Sequence, residues 1–177
     1  MTPTSHAFTT RPERPGDEAA IRAVNIAAFP GKEEADLVDA LRRDPEAWVP
    51  GLSTVTHDAS GKIIGHALLT RCTVGGEPAL ALAPCAVVPA WQGRGAGSAA
   101  IRAALAAATE CAAAGGENLV VVLGHAAYYP RFGFTPAAGW GVTGPFEVPE
   151  DHFLALALDT RRPTPRGEIA YPEAFGV

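Results

Sequence analysis

The sequence predicts an α/β fold: a mixed, largely antiparallel central sheet flanked by helices. Three β-type segments joined by short turns, residues 52–88, form an antiparallel meander. A long alanine-rich helix and a second, wholly apolar strand follow, and this strand-helix-strand order adds a crossover to the meander. The chain has 177 residues, 47% of them hydrophobic and 19% charged, which suffices for one domain with a full core. That domain spans 1–177, with its core over about 8–160 and an irregular tail over 161–177.

Taken in order, Phe8 to Thr10 reads as a short strand, and Pro15-Gly16-Asp17 as a turn leading into a helix N-cap. Ile21, Val24 and Ala28 then recur at helical spacing. "EEADLVDALRRD" gives a second helix with Leu37, Val38 and Leu41 on one face; its acidic start suits the positive end of the dipole, and Asp44-Pro45 ends it. The strands are "LSTVTHD", "KIIGHALLTRCTV" and "ALALAPCAVV", separated by Ala59-Ser60-Gly61 and Gly75-Gly76. A helix from about Ser98 to Ala114 carries Ile101, Leu105, Ala108 and Ala112 on one face and closes at Gly115-Gly116. "NLVVVLG" is a strand of the kind buried on both faces. A helical turn over Tyr128 to Phe132, the turn glycine Gly133 and a last strand, "HFLALALD", complete the core; Pro163, Pro165 and Gly167 make the tail irregular.

Composition limits the function. Acidic residues outnumber basic ones, 19 to 14, so no general attraction to nucleic acid or anionic membrane is expected. Cys72, Cys85 and Cys111 are odd in number and widely spaced, with no CxxC pair and no clustered histidines, which fits a reduced cytoplasm and no metal site. The N-terminal stretch "MTPTSHAFTTRPERPGDE" lacks the apolar run of a signal peptide, and no apolar stretch reaches membrane-spanning length. A cytoplasmic protein is expected.

The chemistry is concentrated in "AVVPAWQGRGAGSAAIRAAL", residues 86–105, where three glycines in five positions precede a helix. Free amides at a helix start, with the helix dipole, seat phosphate, and glycine lets the anion approach the backbone. A Walker loop needs Lys followed by Ser or Thr after its last glycine, whereas Gly97 is followed by Ser98 and Ala99. A dinucleotide fingerprint puts its third glycine where Ser98 stands, and no acidic residue closes a following strand at the usual distance. The remaining pattern, Gln92-x-x-Gly95-x-Gly97 after a strand ending in Val-Pro, resembles the acyl-CoA pyrophosphate loop of the GNAT superfamily of N-acetyltransferases. "YYPRFGF", residues 128–134, resembles that superfamily's aromatic turn. "EEADLVDALR" and "GEIAYPEAF" are similar to the bacterial subgroup of predicted acetyltransferases called YhbS-like.

The resemblance implies a sheet with a splayed centre and acetyl-CoA as cosubstrate, without a metal. The backbone of Gly93, Arg94, Gly95, Ala96, Gly97 and Ser98 would hold the pyrophosphate, with the Arg94 side chain reaching a phosphate. Gln92 would order the loop or touch the phosphate on the pantetheine side, and the strand edge Ala86, Val87 and Val88 would bond the pantetheine arm as an added strand. Tyr129, four residues before Gly133, matches the superfamily's acid tyrosine, and its hydroxyl would serve the departing thiolate. A backbone N–H near Val87 would polarise the thioester carbonyl.

For the base, the resemblance places the second helix along the acceptor pocket, so Glu33 or Glu34 takes the amine proton directly or through water; Glu34 is assigned here. His125, which stands where relatives of the subgroup carry an acid, is the other candidate. Cys85 reads as a small apolar filler, so direct transfer in a ternary complex is expected over an acyl-enzyme. The acceptor is a small-molecule or protein amine, and homodimers are common in the superfamily. The competing reading is an acyl-CoA-binding module or sensor that keeps the coenzyme site without turnover.

Overall fold

Nine strands and three α-helices run through the residues described by a computed structural model, 8–145 and 147–177. Residues 1–7 of the polar N-terminal stretch lie outside them. β1 (Phe8–Pro12) leads to α1 (Glu18–Ala28) and α2 (Glu33–Arg42). β2 (Trp48–Asp58), β3 (Ile63–Val74) and β4 (Glu77–Val87) form the antiparallel meander, with β1 on its outer edge. α3 (Ala96–Ala113) crosses over to β5 (Leu119–Leu123), which lies parallel to β4. β6 (Thr135–Pro136), β7 (Val142–Thr143), β8 (Phe153–Ala157) and β9 (Gly167–Ala170) follow. The order along the sheet is β1-β2-β3-β4-β5-β8-β6.

Several boundaries differ from the sequence reading. Asp17 stands at the start of α1 but makes no capping bond, because its carboxylate is taken by Arg11 Nη1 at 2.7 Å and the Arg14 amide at 2.7 Å. α3 begins at Ala96, two residues before the expected Ser98, with Gly95 rather than a hydroxyl residue in the cap position. The last long strand starts at Phe153, after a 3-10 turn over Glu150–His152. The tail, expected to be irregular, contributes β9, which pairs with β3 through Thr73 and Ala170 and with β7 through Val142 and Gly167.

The core has two faces. Leu80, Leu82, Val120 and Val122 pack under α3 with Ile101, Leu105 and Phe134, while Ile21, Val24, Val38 and Leu41 cover the opposite face against Val55 and Leu68. β5 is buried on both sides, as its continuous apolar run predicts.

β4 and β5 are paired at only two positions, Leu80 with Val120 and Ala81 with Val121. Beyond them β4 bulges: Ala67 faces Cys85 and Leu69 faces Leu82, so Ala83 and Pro84 together oppose Leu68. An extra residue shifts the two-residue period by one. Leu80 and Leu82 point toward α3 before the bulge, Cys85 joins that side after it, and Ala86 turns to the α1 and α2 face. Pro84 offers no N–H for a continuing ladder, and the sheet opens there.

Below the opening, Asn118 fixes the chain after β8. Its side-chain amide donates to the Asp159 carbonyl at 2.9 Å and its oxygen accepts from the Asp159 amide at 2.7 Å. Arg162 then donates to the Ala112 and Gly116 carbonyls at the end of α3. These bonds direct the tail back across the sheet to β9.

Candidate active site

The antiparallel ladder sets which main-chain groups of β4 face the opening. The Val88 amide donates to the Ile64 carbonyl at 3.0 Å, so Val88 and, by alternation, Ala86 spend their polar groups on β3. Cys85 and Val87 direct theirs the other way, into the gap. Of the predicted edge Ala86, Val87 and Val88, Val87 is thus the residue with an amide aimed at the opening. Its carbonyl accepts from Gln92 Nε2 at 3.0 Å, so the Gln92 side chain ties the loop to the strand.

The glycine loop runs from a 3-10 turn over Pro89–Trp91 into α3. Gly95 has φ +89°, left-handed and costly for any residue with a Cβ. Gly97 is needed for space: a Cβ there would stand 3.0 Å from Val87 Cγ2 and 3.7 Å from the Tyr128 hydroxyl, so its absence lets α3 lie close on β4. The Ala99 amide is bonded to the Gly95 carbonyl at 3.0 Å, which leaves the amides of Ala96, Gly97 and Ser98 ahead of the helical ladder at the positive end of the dipole. Thr56 Oγ1 donates to the Ala96 carbonyl at 3.0 Å and anchors the helix start to β2. Gly93 and Arg94 are exposed, and the Arg94 guanidinium lies 5.4 Å from the Trp91 ring centre.

Across the opening, a 3-10 turn over Tyr129–Phe132 follows β5. Tyr128 and Ser98 share a hydroxyl hydrogen bond of 3.0 Å, a link between aromatic turn and glycine loop that the sequence did not disclose. Tyr129 packs edge-on against Tyr128 at 5.1 Å and Phe134 at 6.0 Å, over the bare backbone of Gly124. Burial, then the neighbouring Cys85, push the Tyr129 hydroxyl well above its ordinary range, so it stays protonated. Burial also pushes the Cys85 thiol up to about 12, and a thiol so held is a poor nucleophile at neutral pH.

Tyr129, Cys85 and Pro84 form one side of a cavity of about 380 Å³ at the opening. Its far walls are Phe29 and Leu37 beside α1 and α2, and Tyr171 and Phe175 from the tail. Glu34 is the charged residue among its lining, and the Glu34 Oε2 atom is buried without a hydrogen-bond partner. Glu33 is exposed and folds its carboxylate back over Gly31. His125 is also exposed, its ring 6.4 Å from that of His152, and lies outside this lining. Of the three candidate bases, the structure brings Glu34 to the cavity that Tyr129 lines. The aromatic tail wall was missed by sequence reasoning, although "GEIAYPEAF" had been singled out as a signature.

Among the described residues there is no group of three or more His, Cys, Asp or Glu side chains able to hold a metal, and no helix long and apolar enough to cross a membrane.

A mixed sheet that opens beside a glycine-fed helix N-terminus is the architecture of an acyl-CoA-dependent acyltransferase. The model of the acetyltransferase (GNAT) family matches residues 19–134, and the chain belongs to that family and is an acyl-CoA-dependent acetyltransferase. It is 43% identical over 184 aligned positions, 98% of each chain, to the uncharacterized N-acetyltransferase YjhQ of Escherichia coli. To YhbS of the same organism it is 34% identical over 130 positions, 72% of this chain and 74% of the relative. The crystal structure of YhbS in complex with CoA superposes with a TM-score of 0.86 at 28% identity, covering 100% of this chain and 96% of that one. A GNAT family acetyltransferase from Brucella melitensis, in complex with acetyl-CoA, gives 0.75 at 33% identity, with 96% and 99% covered.

Proposed function

We propose that this protein moves an acetyl group from acetyl-CoA to a primary amine by direct transfer in a ternary complex. One observation carries the reading: a half-buried tyrosine whose hydroxyl stays protonated and an unpartnered carboxyl oxygen line one cavity, at the place where β4 parts from β5. Amides of residues 94–98, with the Arg94 side chain, hold the pyrophosphate, and the Val87 amide bonds and polarises the thioester carbonyl. Glu34 takes the amine proton as the C–N bond forms and the C–S bond breaks.

Tyr129 donates a hydrogen bond to the thiolate as it develops. Full proton transfer would run uphill, since an ordinary tyrosine titrates near 10 and a thiol near 8.5. The hydroxyl therefore acts as an electrostatic stabiliser of the leaving sulfur, and no tyrosinate accumulates. Cys85, held as a thiol, takes no acyl group.

The test is acetyl-CoA-dependent thiol release over a panel of amines, with Tyr129→Phe alongside. Loss of this donor is expected to cost roughly 10²- to 10³-fold in kcat with little change in acetyl-CoA affinity. A wild-type rate in Tyr129→Phe removes that residue from the mechanism. Acetyl-CoA binding by calorimetry with no thiol release from any amine would instead make the protein a binding module.

A further inference from the structure

We infer that the acceptor is a small monoamine whose nitrogen sits at the end of an apolar arm, an alkyl or arylalkyl amine rather than a polyamine, an aminoglycoside or a lysine on a folded protein. The inference rests on the transfer reading and deepens it. Glu34 is the acidic side chain lining the cavity beside Tyr129, and its Oε2 is buried without a partner, a costly arrangement unless a donor arrives there. An ammonium supplies that donor and the opposite charge on binding; it releases one proton to solvent before attack, and Glu34 takes the other as the C–N bond forms. Around it the walls are largely apolar: Phe29, Leu37, Leu123 and the tilted ring pair of Tyr171 and Phe175, whose centres lie 4.9 Å apart. A second ammonium among these walls would meet no second acidic side chain to pair with.

The tail makes the cavity small as well as apolar. β9 is held by β3 and β7, and Phe175 packs into the cluster formed by α1 and α2, so the aromatic wall is built into the fold. At about 380 Å³ the space accepts a compact amine and excludes a folded polypeptide.

The experiment pairs binding with turnover. Phenethylamine, hexylamine, spermidine, kanamycin and a lysine-containing peptide are titrated calorimetrically into the CoA-loaded protein and assayed for thiol release with acetyl-CoA. Phenethylamine and hexylamine should exceed the others at least tenfold in kcat/KM. Phe175→Leu should raise KM for phenethylamine with little change in acetyl-CoA affinity. Glu34→Gln, which keeps the side-chain shape, should weaken phenethylamine binding at least tenfold while leaving that of the uncharged 3-phenylpropanol unchanged. Turnover of spermidine, kanamycin or peptide in preference to phenethylamine overturns the acceptor assignment and leaves acetyl transfer standing. Phenethylamine binding that depends on Glu34 and Phe175, with no thiol release from any amine, upholds the pocket assignment and overturns the transfer reading. Absence of both binding and turnover overturns both.

Discussion

Gly124→Ala perturbs the site without replacing any residue given a chemical role. A Cβ at residue 124 would stand 2.2 Å from Tyr129 Cε2, 2.8 Å from Cδ2 and 3.2 Å from Cζ. The closest of these is about 1.2 Å short of the separation at which ordinary van der Waals contact begins. The ring cannot simply swing away, because Tyr128 and Phe134 brace it edge-on. A displacement of about 1 Å at a reacting group costs on the order of 10²-fold, so kcat for thiol release should fall by roughly that factor while the acetyl-CoA dissociation constant stays within about threefold. If the loss acts through the hydroxyl, adding Gly124→Ala to Tyr129→Phe should cost far less than 10²-fold more, a non-additivity expected of residues in contact. Near-neutral unfolding midpoints would confirm that both variants are folded. A wild-type rate in Gly124→Ala, or full additivity in the double variant, would refute the placement of Tyr129 at the sulfur.

Gly95→Val should weaken coenzyme A binding at least tenfold by calorimetry, because a β-branched residue resists the left-handed backbone that aims the following amides; unchanged affinity would sink the loop assignment. Cys85→Ser should keep kcat within about tenfold if transfer is direct, whereas abolished activity, together with a wild-type acyl-enzyme burst, would show a covalent route. His66 is buried among Asn25, Ser53 and Arg42, and burial, then Arg42, push its pKa down to about 3. Because the unfolded histidine titrates near 6.5 and binds its proton first, stability is fully present above that pH and is lost as pH falls toward 3. Urea midpoints of His66→Gln should therefore fall less steeply over that range than those of the wild type, and identical slopes would show that the acid loss arises elsewhere.

What the sequence made legible follows from the range of the forces involved. α1, α2, the meander and β5 announce themselves because each buries a periodic face, a local pattern. The two-residue strands β6 and β7 and the tail strand β9 carry no such pattern: β9 exists because Gly75 accepts no side chain where Arg166 and Gly167 approach it, and because the Gly75 amide reaches the Glu168 carbonyl at 2.9 Å. The same applies to the site. Gly95 and Gly97 stood out through spacing and Tyr129 through the resemblance of its motif, and Glu34, already assigned from the sequence, is the one of the three candidate bases that lines the cavity. The aromatic wall of Tyr171 and Phe175 was hidden because its position depends on Asn118, about fifty residues earlier, holding the chain at Asp159. Pro84 marks where the ladder breaks, although the run "ALALAPCAVV" reads from the sequence as one continuous strand.

The bulge at Ala83 and Pro84 is what would let the proposed donor and acceptor chemistry meet from opposite faces. Without it, Cys85 would continue the phase of Ala79 and Ala81, and the strand edge beyond would present its amides in the register of β5. The extra residue turns Cys85 toward the α3 side, where Tyr129 packs, and aims the Val87 main chain at a gap that β5 no longer fills. The α1 and α2 face is held close to that gap by a polar clamp: Asn25 Nδ2 donates to His66 Nδ1 at 3.3 Å, His66 Nε2 donates to Ser53 Oγ at 2.9 Å, and Ser53 Oγ donates to Glu13 at 2.8 Å. Arg42 closes the chain on Glu13 at 2.9 Å. These bonds require the neutral Nε2–H tautomer, consistent with the depressed pKa of His66. They tie α1 and α2 to β2 and β3, so the helix bearing Glu34 is fixed to the same sheet whose opening is proposed to receive the thioester, and the proposed acceptor side is held in place by a network remote from the chemistry.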